Sequence, residues 1–397
     1  MAERLGRRRF LWRGLAAVTA LAAGGIALRA WNRGVFSVGQ GPAYEPWRQW
    51  REARASGPLA LVQAGILAAN AHNTQPWRFS VSAERIAIHA DPARNIGSFD
   101  PFRREMHLSL GCALENVLLA ARALGFEANP ETRPGPIQPV ESGTPVIELR
   151  LSGPGPRQNS ELFNAIEKRR TYRGPYDLAR SIPAALQAEL QNLSSATPEL
   201  RLFFFTDDER RRLGDLIVAT TEAIVGDKEM ATDSASWFRF DWEAVRERRD
   251  GITLDAVGLP PFINAAAKIL PPVSQEEADR TWLKDTRDVH VATSPLLGMI
   301  AVNDLYDRPT AVAAGRLWQR IHLWATARGL VAQPLSQPAE MVDRERQLGR
   351  SPRTAEALAK FTGDPNWRPT FVFRMGYSDR APRLSPRRPL EDVLIKS

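Results

Sequence analysis

The sequence predicts an α+β chain built from two tandem halves. Short runs with strand character alternate along it with longer helical patterns. The stretch Gly111 to Gly125 aligns without gaps on Gly315 to Gly329: Leu119 falls on Leu323, Ala121 on Ala325, Ala123 on Ala327, and Glu115 on Gln319. Both stretches end in glycine followed by an apolar residue, the pattern of a helix closed by a left-handed cap. The strand-like run Ile147-Glu148-Leu149-Arg150 is likewise echoed by Phe371-Val372-Phe373-Arg374.

Taken in order, residues 1–33 read as a leader. Arg7-Arg8-Arg9-Phe10-Leu11 followed by the Ala-rich run Gly14 to Leu28 has the shape of a twin-arginine export signal. The alternative is a short membrane anchor or basic tail, with residues 11–30 as the tether. The run is short for a span, which needs about 20 apolar residues. The export route carries folded proteins, so the signal suggests a cofactor loaded before export and a periplasmic or membrane-tethered product. Residues 34–57 read as a linker holding a short helix from Pro46 to Ala55. The first half, 58–155, opens with a helical pattern from Leu59 to Ala69. A hairpin follows at Trp77–Val81 and Arg85–His89, then a long helix from Arg103 to Gly125 with Leu110, Leu114, Val117, Leu118 and Ala121 on its apolar face. Dense proline and glycine make 130–145 a loop before a strand at Val146–Leu151. The second half, 156–397, holds an insertion at about 227–295 with Trp237, Trp242, Trp282, the charge run 246–250 and Gly258-Leu259-Pro260-Pro261. Such a segment is either a lid, arm or interface, or a plain helical decoration.

Composition removes several function classes. Of the net charge of +8, seven arginines against one glutamate in residues 1–33 give +6, which leaves +2 for the body. No basic stripe remains for nucleic acid. Cys112 is the only cysteine, which excludes an intrachain disulfide and a thiolate cluster; within an apolar helix it reads as a packed thiol. No two of His72, His89, His107, His290 and His322 stand four apart, so no helix presents a histidine pair to a metal.

Three segments carry chemistry. Asn70, His72, Asn73 and Gln75 crowd the loop before Pro76-Trp77-Arg78-Phe79. Amide side chains offer a donor and an acceptor each, as the edge of a ring with alternating N–H and C=O groups requires; an Asn-rich turn is the other reading. Arg169-Arg170-Thr171-Tyr172-Arg173 places cations and a hydroxyl on alternate positions. In extended backbone, Arg169, Thr171 and Arg173 share a face suited to an anion; a solvated basic helix end accounts for them equally. Ser385-Pro386-Arg387-Arg388-Pro389 is a stiff basic corner that either closes on the same anion or forms a surface tail.

The HNTQPWRF loop, the RRTYR segment and the helix ending Arg328-Gly329-Leu330 together resemble the flavin-dependent nitroreductase superfamily, and their order resembles its Acg-type branch. The resemblance runs from about residue 56 onward. It implies a nitroreductase-like fold, two half-domains fused into an intramolecular pseudo-dimer, and FMN held between them in one complete and one degenerate site. By matching positions it assigns Arg169, with Arg170, and Thr171 to the FMN phosphate, assisted by Arg387 or Arg388. It sets Arg173 toward the N1–C2=O edge of the ring, where a cation favours the reduced anion. Asn70, His72 and Asn73 reach the flavin from the other half, Gln75 braces the loop, and Pro334 to Pro338, with Ser336 and Gln337, passes near flavin N5. The usual Pro-Ser-Ser before the asparagine is replaced by Ala69-Asn70-Ala71. Glu105 and Asp100-Pro101 are read as structural.

The implied function is reduction of a small electrophile, a nitro compound or quinone, by reduced FMN. The alternative is FMN storage or sequestration under a lid; a cleft of roughly 300 Å³ or more at the ring would favour catalysis. The electron donor is NAD(P)H, or a quinol or partner protein if the chain works outside the cytoplasm, since no Gly-x-Gly-x-x-Gly site is present.

Overall fold

The structure, a computed structural model, describes residues 24–139, 143–195 and 197–395. The twin-arginine motif and most of the apolar run after it lie outside the described residues; residues 24–32 are helical. Two four-stranded antiparallel sheets dominate. The first has order β1-β2-β4-β3, from Trp77–Val81, Arg85–Ala90, Ile147–Ser152 and Glu127–Thr132. A two-stranded parallel pair, β6 (Phe238–Arg239) and β7 (Ile252–Thr253), stands apart. The second large sheet has order β5-β8-β10-β9, from Leu200–Phe205, Leu296–Val302, Arg368–Gly376 and Val331–Pro334. Its strands pair in the same antiparallel order as the first. β4 and β10, the strands with echoed sequences, occupy equivalent interior positions. The two tandem half-domains are therefore a property of the fold.

The aligned helices, Arg104–Leu124 and Arg308–Ala327, pack on their own sheets and on each other. Their crossing depends on glycine. A Cβ on Gly111 would lie 2.1 Å from the Val312 carbonyl oxygen, and one on Gly315 would lie 1.9 Å from that of Leu108. The two glycines occupy matched positions, so the halves meet backbone to backbone. Cys112 is buried there with its thiol directed at the Gly315 carbonyl, 3.2 Å away. Gln319 crosses the same interface: its Nε2 donates to Asn116 Oδ1 at 2.8 Å, and its Oε1 accepts from the Ala69 amide at 3.0 Å. The helix ends also correspond. Gly125 and Gly329 are left-handed, and the next amides, of Phe126 and Leu330, both donate five residues back at 2.8 Å.

Several expectations need correction. The helix expected over Leu59–Ala69 stops at Gly65, after which tight turns lead into the site loop. The expected loop from 130 contains the end of β3; Pro130 is tolerated because β3 is an edge strand. In the first half three residues join β1 to β2, whereas the corresponding β5 and β8 are separated by residues 206–295, beginning with a helix at Asp207–Gly226. The short helix expected over Pro46–Ala55 is present as Glu45–Glu52, but its Trp47 and Trp50 are buried in the main core.

Candidate functional site

The loop after Ala69 is held in costly backbone. His72, Asn73 and Gln75 have φ of 46°, 56° and 53°. Left-handed geometry at three non-glycine residues within four positions is strain that surrounding bonds must hold. Gln75 supplies much of that restraint. Its backbone N–H donates to Asn70 Oδ1 at 2.8 Å, its Nε2 donates to Arg249 O at 2.9 Å, and its Oε1 accepts from the Arg388 amide at 2.8 Å. Asn73 Nδ2 donates to Gly251 O and Pro386 O, both at 3.0 Å. The loop is thereby tied to residues 206–295, the excursion between β5 and β8, and to the basic corner more than 300 residues along the chain.

The arginine segment follows a short helix, Glu161–Ala165, capped by Ser160, whose hydroxyl accepts from the Phe163 amide at 3.2 Å. It then bridges β9 in parallel, Thr171 pairing with Ala332. The excursion docks on it through Gly258, where a Cβ would lie 2.3 Å from the Gly174 nitrogen; only glycine fits, with φ 85°.

These segments enclose a cavity of about 550 Å³ between the halves. Asn70, His72, Asn73, Arg169, Arg170, Thr171, Arg173, Ser336, Gln337 and Arg387 all line it. Gln75 and Arg388 do not. Gln75 is spent on bracing, and the Arg388 guanidinium turns to the carbonyls of Gln75 and Asp392. The lining also holds Trp47, Glu105, Glu340 and His290, none of them expected. Glu340 lies four residues, about one helical turn, after Ser336, a spacing that would have flagged it. Of the excursion's three tryptophans only Trp282 faces the cavity. Trp237 packs with Ile96, Phe99 and Met230, and Trp242 stacks on Tyr44 at 6.5 Å.

The electrostatics are lopsided. Arg169, Arg170 and Arg387 lie together, and none of them, nor Arg173, makes an ion pair among the described residues. Arg169 Nη2 reaches only the Leu67 carbonyl, at 3.2 Å, and its Nε has no partner. Arg387 bonds the Asn73 amide oxygen and the Ala68 carbonyl, and its Nε is also unpartnered. Trp47 lies beneath two of the cations, 4.0 Å from Arg170 and 5.0 Å from Arg387. Burial first, then mutual repulsion, presses Arg170 down to about 9 and Arg387 well below its ordinary value; burial presses Arg169 and Arg173 to about 10. A guanidinium keeps its proton in proteins, so all four remain cations. Arg169 and Arg387 are buried cations without an ion-pair partner, which is costly, and an anion would satisfy the orphaned Nε of each. His72 is pushed to about 4 by burial and then by Arg173, so its imidazole is neutral there. The Ser336 hydroxyl and Gln337 Oε1 are buried without partners in the same wall.

No family model matches the chain. Two Mycobacterium tuberculosis proteins are similar over most of its length. The one named "Putative NAD(P)H nitroreductase Rv3131" is 23% identical over 338 residues, 84% of this chain and 90% of that protein. The one named "Putative NAD(P)H nitroreductase acg" is 25% identical over 348 residues, 84% of this chain and 94% of that protein. Among solved structures, the FMN-dependent nitroreductase NfnB from Mycobacterium smegmatis in complex with NADPH aligns with 60% of this chain and 98% of its own, at 16% identity and TM-score 0.39.

Proposed function

We propose that the chain is an FMN-binding oxidoreductase of nitroreductase type that reduces a small electrophile, a nitro compound or quinone. The observation that carries this reading is the cavity between the halves, in which buried arginines lack counter-ions and face orphaned polar atoms. FMN fits that donor set: a phosphate suits the cations and an edge of alternating donors and acceptors suits the loop amides. Bound FMN would supply the hydride chemistry. Arg169, Arg170 and Arg387 would hold its phosphate with Thr171, and Trp47 keeps two of those guanidiniums parked. Arg173 keeps a positive charge in the lining, and neutral His72 adds none. Asn70, Ser336 and Gln337 would meet the polar edge of the ring system, Asn73, its amide already bonded to Gly251, Pro386 and Arg387, would steady the loop, and the excursion would exclude water. The names of the two Mycobacterium tuberculosis relatives support a nicotinamide donor. After export by the twin-arginine route, to the periplasm or to a tether there, a quinol or partner protein would replace it.

Storage of FMN is the second reading, favoured by the share of the wall that the excursion supplies, from Phe238 and Ile252 to Leu259 and Trp282. One experiment separates the two. The purified chain should be yellow. Anaerobic bleaching by both dithionite and NADPH supports turnover, and bleaching by dithionite alone supports a covered flavin or another donor. Arg169→Ala should purify colourless; a yellow Arg169→Ala protein would refute the assignment of the phosphate site.

A further inference from the structure

Exposed apolar side chains are distributed unevenly. Twelve large hydrophobic residues stand exposed among the described residues, and nine fall in two stretches. One stretch holds Ile26, Leu28, Trp31 and Phe36; the other holds Phe240, Phe262, Ile263, Leu270 and Val273. The stretches touch. Arg29 Nε donates to the Ile269 carbonyl at 2.6 Å, and Lys268 Nζ to that of Gly34 at 3.1 Å. Scattered apolar residues are normal on a surface, but a joined patch of this kind marks a contact site.

The helix Pro261–Ile269 is built inside out. Its polar residues Asn264 and Lys268 are buried and fully engaged, Asn264 Nδ2 with the Leu254 carbonyl at 2.7 Å and Lys268 Nζ with Asp255 at 2.8 Å. Its Phe262 is 81% exposed. A surface helix facing water turns the other way. Phe240 and Val273 belong both to this face and to the cavity lining, so the cavity opens through the patch.

The sequence leading into the patch indicates what covers it. Residues 10–23 are apolar apart from Arg13 and Thr19, and residues 1–33 carry +6. Apolar side chains accompanied by a basic segment match an anionic lipid surface. No helix among the described residues is long and apolar enough to cross a membrane, so the contact is made by a face.

We propose that this face seats in the headgroup layer of an anionic bilayer and turns the cavity mouth toward lipid, so that the site takes a lipid-dissolved substrate of quinone-like polarity. The seating does not depend on the flavin reading and is tested without it. The full chain carrying Phe262→Cys or Val273→Cys is labelled with a polarity-sensitive dye; the unsubstituted chain, whose one thiol, Cys112, is buried and raised in pKa by burial, goes through the same reaction to set the background. A Leu348→Cys label, exposed but outside the patch, is the control. Vesicles of phosphatidylethanolamine and phosphatidylglycerol, with and without an acyl-chain spin label, are added. Blue shift and quenching at 262 and 273, with neither at 348, are expected. Equal quenching at all three positions overturns the proposal, as does a chain that floats with the vesicles while its 262 dye is unchanged. Quenching at 262 alone refutes the orientation of the mouth. A blue shift that grows with protein concentration in the absence of vesicles assigns the face to a second copy of the chain and also overturns the proposal.

Discussion

Glu105 and Glu340 face the cavity among groups that do not neutralise them. Arg104 is the buried guanidinium beside them, and its Nε already donates to Asp343 Oδ2 at 2.9 Å. Asp100 is committed to the helix start, accepting from the amides of Glu105 and Met106 at 3.0 and 2.9 Å. Burial, offset in part by Arg104, raises Glu105 to about 7, and burial with repulsion from Glu105 raises Glu340 well above its usual value. A carboxyl with a raised folded pKa costs nothing below its unfolded value and destabilises as pH rises through the folded one. Glu340→Gln should therefore stabilise the protein more at pH 8 than at pH 5. Urea titrations at the two pH values check this; an equal gain at both would mean that ionisation of Glu340 is not the cause. His72 runs the opposite way. Its folded pKa of about 4 lies below the unfolded 6.5, so its contribution is intact above 6.5 and lost as pH falls from there toward 4. His72→Gln should flatten the acid limb of the stability profile over that window.

At the scale of elements, the paired glycines make a sharp prediction. Gly315→Ala pushes a methyl into the Leu108 carbonyl and should cost about 1–3 kcal/mol, as overpacking does. Gly226→Ala, also helical but with open space around it, should be neutral or stabilising by up to about 1 kcal/mol. Denaturant midpoints of the two variants, compared with the parent chain, test the contrast. The same helices indicate what a reader of the sequence can see. The match of Gly111 to Gly315 and the shared glycine endings were legible because cap chemistry is local. The hairpin Trp77–Val81 with Arg85–Ala90 was legible because its spacing is tight. β3 was hidden because proline and glycine outweigh a weak edge strand, and the burial of Trp47 and Trp50 was hidden because it depends on partners such as Phe163, Arg170 and Arg387 far along the chain. For the site, residue types pointed to the cationic cluster but not to the lone carboxyls. Gln75 and Arg388 have the right chemistry, yet their neighbours consume it.

At the scale of the molecule, the halves share one core, in which residues of both long helices and both sheets form a single cluster. The second half also returns to the first: the Ile395 amide donates to Phe79 O at 2.8 Å, and Leu394 bridges β1 at its free edge. Unfolding should accordingly be one cooperative transition by calorimetry. Residues 34–157 and 158–397 made separately should bind no FMN alone and should regain it on mixing; a half that folds and binds by itself would contradict a shared core.

The bond between Asn73 and Arg387 joins positions 314 apart. A ribosome makes the strained loop early and the arginine that steadies it late, with Arg169 and Ser336 in between. Until residue 387 has emerged, the nascent chain holds unpaired cations and a loop without its clamp, and it has nowhere to keep a dianionic guest. For the FMN site proposed above, loading would therefore follow the synthesis of residue 387.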